Sequence, residues 1–230
     1  MRKYCVVTVF ICLAFLELTF SNEPIGAQKE LRDIYERQCV EISDIQDHIP
    51  VLHSLAKSCT SVIEIGIRGM VSSWGILQGL SEVSDPSRWY LGIDLYEPPL
   101  DSLNLAKRLS KDLGIFYQFV QANDMTIDIP ICDMLFIDSL HTYCHLMYEL
   151  ETFSPKVLKY IAMHDTSEPW GFSEDTNYTG DYSEYPAHFD RTKVGLWAAV
   201  EDFLQRHPDW VLLERRINCH GFTVLKRKDI

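Results

Sequence analysis

The chain has 230 residues, 47% of them hydrophobic and 12% aromatic. That is enough for one sizeable α/β domain with a real core. The formal net charge is -12 and the pI about 5.0. No lysine or arginine cluster offsets the acids, so non-specific nucleic-acid binding is argued against: such a surface repels phosphates.

Arg2 and Lys3 precede an apolar run over residues 5–16, broken by Glu17 and followed by Ser21, Asn22, Glu23 and Pro24. A basic start, an apolar stretch and a small residue near its end read as a signal peptide, cleaved near Ser21. The run is short for a membrane span, which needs about 20 residues. An uncleaved signal anchor is the alternative, and would be the chain's one link to a membrane. Either way residues 1–21 stand outside the fold, and the protein is expected in the secretory pathway, secreted or anchored. Cys5 and Cys12 lie in this leader, leaving Cys39, Cys59, Cys132, Cys144 and Cys219. An odd number at scattered spacings is neither a disulfide framework nor a zinc pattern. Asn177, Tyr178 and Thr179 match a glycosylation sequon, which matters only in a secretory lumen.

Residues 22–60 read as helices packed ahead of a sheet. Leu31, Ile34 and Tyr35 mark one helix over 27–40; Val51, Leu52 and Leu55 mark a second over 50–57. His48 and His53 read as surface or cap residues. The main domain is expected over 61–230. It opens with a short β-branched run, Val62, Ile63 and Ile65, bounded by Gly66. From Met70 the apolar period changes to helical, through Trp74, Leu77 and Leu80. Strand, glycine turn, helix is a geometry that aims backbone N–H groups at a ligand, with Gly69 at the helix entry. Glu64, an acid inside this apolar strand, must be hydrogen-bonded or paired if buried.

Strand and helix then alternate. Strands are expected over 89–93, 115–120, 133–137 and 158–163, and helices over 103–113 and 142–153. A helix over 194–206 precedes two last strands, near 210–213 and 222–225. Such alternation implies a parallel sheet with helices on both faces. In an open sheet of this kind ligands bind beyond the carboxyl ends of the strands. Gly66, Asp94, Asn123, Asp138, His164 and Asp165 all fall at those ends. Asp94 is placed to accept hydrogen bonds from ribose hydroxyls. Asn123 or Asp124 could accept from an adenine amine, although loop acids and amides also cap turns.

The run from Asp133 through Asp138, His141 and Tyr143 and the run Tyr160-Ile161-Ala162-Met163-His164-Asp165-Thr166 carry a family likeness. With Glu64-Ile65-Gly66 and Gly92-Ile93-Asp94, they resemble class I S-adenosylmethionine-dependent methyltransferases. The likeness is narrower toward the branch of macrocin O-methyltransferase and cephalosporin-hydroxylase-like proteins. It covers residues 61–226, including Gly195-Leu196-Trp197 and Gly221-Phe222-Thr223-Val224-Leu225. It implies a Rossmann-like doubly wound sheet of seven strands, mostly parallel with the last antiparallel. It places Gly66 against the cofactor's methionine end, Asp94 at its ribose and Asn123 near its adenine. Glu64, Gly69, Asp124 and Asp138 are counted with the same cofactor site. The chain departs from the pattern at Arg68, where a tighter motif has glycine; Arg68 meets the cofactor's carboxylate or faces solvent. The helix usual between the third and fourth strands is reduced to a loop around 125–130.

In relatives of the macrocin type, acids after the fourth and fifth strands hold a divalent metal. Asp138 and Asp165 match, and His164 stands where a second carboxylate would be. Hard cations prefer oxygen ligands, so the histidine leaves magnesium, manganese or no metal open. A bound ion would gather two acceptor oxygens and lower the pKa of one hydroxyl. His141, His164 and Asp165 are the candidate catalytic residues, since imidazole titrates near neutral pH and can take the acceptor's proton.

Residues 167–193 lack a clear period and mix aromatics with acids. Long loops at strand ends are uncommon unless functional or disordered, and this one is read as a lid suited to a small or glycan-like acceptor. Three functional readings follow: an O-methyltransferase, a catalytically silent exported binding module, and a nucleotide-sugar or dinucleotide enzyme. The third lacks the three-glycine turn a pyrophosphate needs. The second draws on the leader, because S-adenosylmethionine is made in the cytosol. A homo-oligomer is left open.

Overall fold

The computed structural model describes residues 7–8, 24–175 and 182–228. Most of the leader and the whole sequon lie outside the described residues. Seven strands form one sheet: β1 (Ser61–Ile65), β2 (Trp89–Asp94), β3 (Phe116–Gln121), β4 (Cys132–Ile137), β5 (Val157–His164), β6 (Trp210–Arg216) and β7 (Phe222–Arg227). Their order is β3-β2-β1-β4-β5-β7-β6. All run parallel except β7, which lies antiparallel between β5 and β6. The sheet is therefore Rossmann-like, with its last strand reversed. Val7–Thr8 makes a separate two-residue parallel ladder with Ile127–Asp128.

Among the described residues six α-helices flank the sheet: α1 (Pro24–Gln38), α2 (Ile49–Ala56), α3 (Val71–Ser81), α4 (Leu100–Asp112), α5 (Tyr143–Phe153) and α6 (Leu196–Arg206). Strand alternation divides the core. Val62, Tyr90, Met134 and Phe136 face α1 to α4 on one side. Ile63, Leu91, Leu135 and Ile161 face α5 and α6 on the other. Both faces are buried, so the central strands read as nearly continuous apolar runs. α1 and α2 share the core of β1 and β2, so the segment ahead of the sheet is part of the same packed body.

The start of α4 shifts from the sequence expectation, and the reduced connection between β3 and β4 agrees with it. α4 begins at Leu100, directly after Pro99, whose fixed φ sets the chain up for a helix. Leu100 itself is exposed, so periodicity could not report that first turn. Between β3 and β4 the chain makes no helix. Ile127 and Ile129 are buried in its place against the α5 side of the sheet.

The order reverses at β1: the chain moves out to β2 and β3 one way, then to β4 and β5 the other. Crossovers leaving in opposite directions open a crevice at the carboxyl ends of β1 and β4.

Candidate active site

The crevice begins at the turn after β1. Gly66 has φ +86, and a Cβ there would lie 2.0 Å from the Asp138 carbonyl oxygen. Only glycine fits both conditions. The Gly66 N–H donates to the Ile93 carbonyl at 2.9 Å, and the Asp138 N–H donates to the Ile65 carbonyl at 2.8 Å. The ends of β2, β1 and β4 are thus tied together around this residue.

Arg68 and Met70 also sit at positive φ, 43 and 65 degrees. Such backbone costs of order 1 kcal/mol or more per residue unless its surroundings hold it. Asp94 does the holding. Its Oδ2 accepts the N–H groups of Ile67 and Arg68 at 2.8 and 2.9 Å. Its Oδ1 accepts the Tyr96 N–H at 2.9 Å. Charge-assisted bonds of this kind are the stronger sort. Asp94 is therefore the clamp of the glycine turn as well as a wall of the crevice. The Arg68 guanidinium pairs with Asp44 Oδ2 at 2.6 Å, reaching back to the segment ahead of the sheet.

A cleft of about 480 Å³ opens here, with Gly66, Asp94, Tyr96, Asp124, Asp138 and Ser139 among its walls. That lies in the range of small-ligand sites, about 300–1,000 Å³. Arg68 also borders it. Three expected cofactor residues do not. Glu64 is fully buried behind the turn. Its carboxylate accepts from Ser72, Tyr90 and Ser73, the last at 2.7 Å. Burial pushes it up to about 7, against the opposing pull of those hydroxyls. Gly69 faces open space: a Cβ there would meet nothing closer than Val71 Cγ2 at 3.9 Å. Asn123 turns its Oδ1 to the Met125 N–H at 2.8 Å, an Asx turn rather than a ligand contact. Tyr96 and Ser139 were not singled out by sequence. Tyr96 is an exposed aromatic two residues after the β2 acid, and that proximity was the available signal.

At the far wall the ends of β4 and β5 gather Asp138, His141, His164 and Asp165. Asp165 has φ 58, a left-handed turn that aspartate tolerates better than most residues. His164 is buried, and both its ring nitrogens are spoken for. Nδ1 lies 3.3 Å from Asp138 Oδ1 and 3.2 Å from Asp165 Oδ2. Nε2 lies 3.1 and 3.0 Å from the carbonyl oxygens of Asp44 and Cys219. Two carbonyls and two carboxylates only accept, so both nitrogens donate and the ring is an imidazolium. Burial alone would lower its pKa; Asp138 and Asp165 outweigh it and hold the pKa well above the ordinary value.

His164 thus stands between the other two residues of the expected metal set, Asp138 and Asp165, and faces both. A ring that donates from both nitrogens can neither ligate a cation nor take a proton. The structure also brings His141 to the two acids: one donor atom each of Asp138, His141 and Asp165 lies within 4.8 Å of the others. His141 Nε2 is 2.9 Å from Asp165 Oδ2, yet makes no aligned hydrogen bond although it is buried. An orphaned imidazole nitrogen facing two carboxylates fits a cation site. Sequence named both His141 and His164 but could not rank one over the other.

The described part of the lid folds back over this wall. Trp170 stacks on His141 with ring centroids 5.4 Å apart. Glu174 Oε1 accepts the N–H groups of Tyr143 and Gly195, both at 2.9 Å. The Asp175 N–H donates to the His141 carbonyl at 3.0 Å.

No protein family and no curated protein matches the chain in sequence. Solved structures do match in shape. A Corynebacterium glutamicum protein aligns with a TM-score of 0.53 at 15% identity, over 91% of this chain and 93% of that one. The SAH-bound Podospora anserina methyltransferase PaMTH1 aligns at 0.51 and 14%, over 89% and 88%. A Geobacter sulfurreducens methyltransferase aligns at 0.50 and 16%, over 87% and 88%. The chain shares the fold of these methyltransferases. At such identities the likeness is one of fold.

Proposed function

We propose that the protein is an S-adenosylmethionine-dependent methyltransferase acting on an oxygen of a small or glycan-like acceptor. The observation that carries this reading is one cleft at the strand ends, with Gly66 and Asp94 on one wall and Asp138 leading to His141 and Asp165 on the other. A cofactor end and an acceptor end lie side by side. The SAH-bound Podospora protein of the same fold supports the choice of cofactor.

In this reading the one spare lone pair of Asp94 accepts a ribose hydroxyl. Tyr96 offers a face for the adenine, and Asp124 an acceptor for its amine. Gly66 leaves room beside the strand end for the methionine portion. The acceptor hydroxyl lies near Asp165, in line with the sulfonium methyl. It loses its proton, its oxygen forms a bond to the methyl carbon, and the carbon–sulfur bond breaks to leave S-adenosylhomocysteine. Orientation within the cleft supplies much of the rate.

Asp138, His141 and Asp165 would hold magnesium or manganese. Such an ion lowers the pKa of a bound hydroxyl and gathers neighbouring oxygens. His164, a fixed cation between the two acids, cancels part of their charge and weakens the hold on a hard ion. Without an ion, His141 Nε2 is the proton acceptor. Burial lowers its pKa, but Asp165 and the other nearby acids outweigh that and raise it. Trp170 and Phe172, beside the acids of residues 167–193, suit the face and hydroxyls of a sugar. The leader, read as a secretory signal, places that acceptor in a lumen.

Calorimetric titration of the purified chain with S-adenosylmethionine, with and without magnesium or manganese, tests this. Saturable heat supports the enzyme, and heat altered by the ion supports metal assistance. Folded protein that gives no heat favours the silent binding module. A screen of acceptors with labelled cofactor then identifies the substrate.

A further inference from the structure

A second group of metal-ligand side chains lies beneath the floor of the cleft. We propose that Asp124, His145 and Glu149 form a buried divalent-cation site, distinct from Asp138, His141 and Asp165, that takes zinc. The inference shares no ligand with the first cluster and stands whether or not the cleft takes S-adenosylmethionine.

The local fold explains why these three meet. His145 and Glu149 are four residues apart on α5, so they lie one above the other on the same helix face. That face turns toward the loop after β3, which carries Asp124. His145 Nε2 is 2.7 Å from Asp124 Oδ2 and 4.0 Å from Glu149 Oε1. One donor atom from each residue lies within 4.8 Å of the others. A zinc ion about 2.0–2.2 Å from three such donors holds them roughly 3.3 Å apart in tetrahedral geometry. The cluster needs only small side-chain adjustments to reach that.

The second observation is an unpartnered carboxyl oxygen. Glu149 is 0% exposed. Its Oε1 accepts from Ser139 Oγ at 2.8 Å, but its Oε2 is buried with no hydrogen-bond partner. Asp124 faces the same space and is also buried. Among the described residues, His145 is the only basic side chain within ion-pair distance of either acid. Two buried carboxyl groups facing one imidazole need a proton or a cation between them, because two like charges cannot share a dry site. A dication supplies what is missing.

The surroundings are also those of a ligating histidine. His145 Nδ1 lies 3.0 Å from the Tyr185 hydroxyl. A metal-bound imidazole nearly always hydrogen-bonds through its other nitrogen, which fixes the tautomer and the ring orientation. Asp124 Oδ1 is held in turn by the Met125 N–H at 2.9 Å. One imidazole and two carboxylates suit zinc or manganese better than calcium or magnesium, which favour all-oxygen shells. Closed burial points to a structural ion that ties α5, the β3–β4 connection and the lid residue Tyr185 together.

The test strips the full chain with a chelator, then titrates zinc back by calorimetry and follows thermal unfolding. Wild type and Asp138→Asn should each take up a zinc equivalent that Glu149→Gln does not, and melt higher with zinc than without. Glu149→Gln keeps the shape and removes the charge, and should bind zinc at least about tenfold more weakly, the scale on which perturbing a metal site shows. His145→Gln serves as a second variant if Glu149→Gln loses its near-ultraviolet circular dichroism. The proposal is overturned if wild type takes up no zinc. It is equally overturned if Glu149→Gln binds as tightly as wild type, which would mean that a proton joins the two acids. Zinc lost in Asp138→Asn but kept in Glu149→Gln would assign the ion to the other cluster and overturn it as well.

Discussion

Gly66 and Asp138 touch through their backbones so closely that a single methyl group cannot be placed between them. This contact closes the floor of the cleft where β1 and β4 diverge. Gly66→Ala must both hold a positive φ with a side chain and push back the Asp138 carbonyl. Its expected cost is about 2 kcal/mol or more in urea unfolding. Gly69→Ala, with open space around it, should stay within about 1 kcal/mol. Equal losses in the two variants would mean the contact carries no special constraint.

Asp94 holds three backbone N–H groups with one carboxylate. Asp94→Asn keeps the shape but replaces one acceptor oxygen with an amide that donates. If the spare lone pair also receives the ribose, cofactor affinity should fall about 10- to 100-fold, the value of one charge-assisted bond. Stability should fall as well, because the left-handed turn at Arg68 and Met70 loses part of its clamp. Calorimetry and chemical unfolding separate the two effects.

His164 is the internal counter-ion of Asp138 and Asp165. His164→Asn leaves two acids side by side without it, and breaking a buried pair costs about 3–5 kcal/mol. The same change should tighten magnesium or manganese binding, because a dication then has the full charge of both acids to meet. Looser ion binding in this variant would show that His164 is a ligand after all. The comparison needs only metal titrations and melting curves with and without a chelator.

Glu64 provides a pH test away from the reacting groups. Burial raises its folded pKa to about 7, above the ordinary carboxylate value. Between those two values the native carboxyl keeps its proton while the unfolded one has lost it. The native state then binds more protons, so its stability falls as pH rises through that window and levels off above it. The swing is about 3 kcal/mol. Unfolding free energies of wild type and Glu64→Gln at pH 5 and pH 8 should differ in this sense, with the wild type losing more on the alkaline side. A parallel pH response in the two proteins would place Glu64 in an ordinary environment.

The sheet was legible because its strands alternate with helices and end in polar residues. Gly66, Asp94, Asp138 and Asp165 each stand where an apolar run stops, and the fold brings those stops together. What the sequence hid depended on partners distant along the chain. The charge state of His164 is set by the carbonyls of Asp44 and Cys219 together with two acids, and no local pattern announces that meeting. His145 and Glu149 share the buried side of α5 with Leu146 and Leu150, where periodicity reports only an amphipathic helix. Glu64 was visible as an anomaly, but its explanation lay in Ser72, Ser73 and Tyr90, one helix and one strand away.

Asp44 reaches the walls of the cleft twice, through its carboxylate to Arg68 and through its carbonyl to His164. The stretch ahead of the sheet is thus a doorpost of the chamber and no mere approach to it. A protein trimmed to its alternating strands and helices would keep the architecture and lose the hinge side of its own doorway.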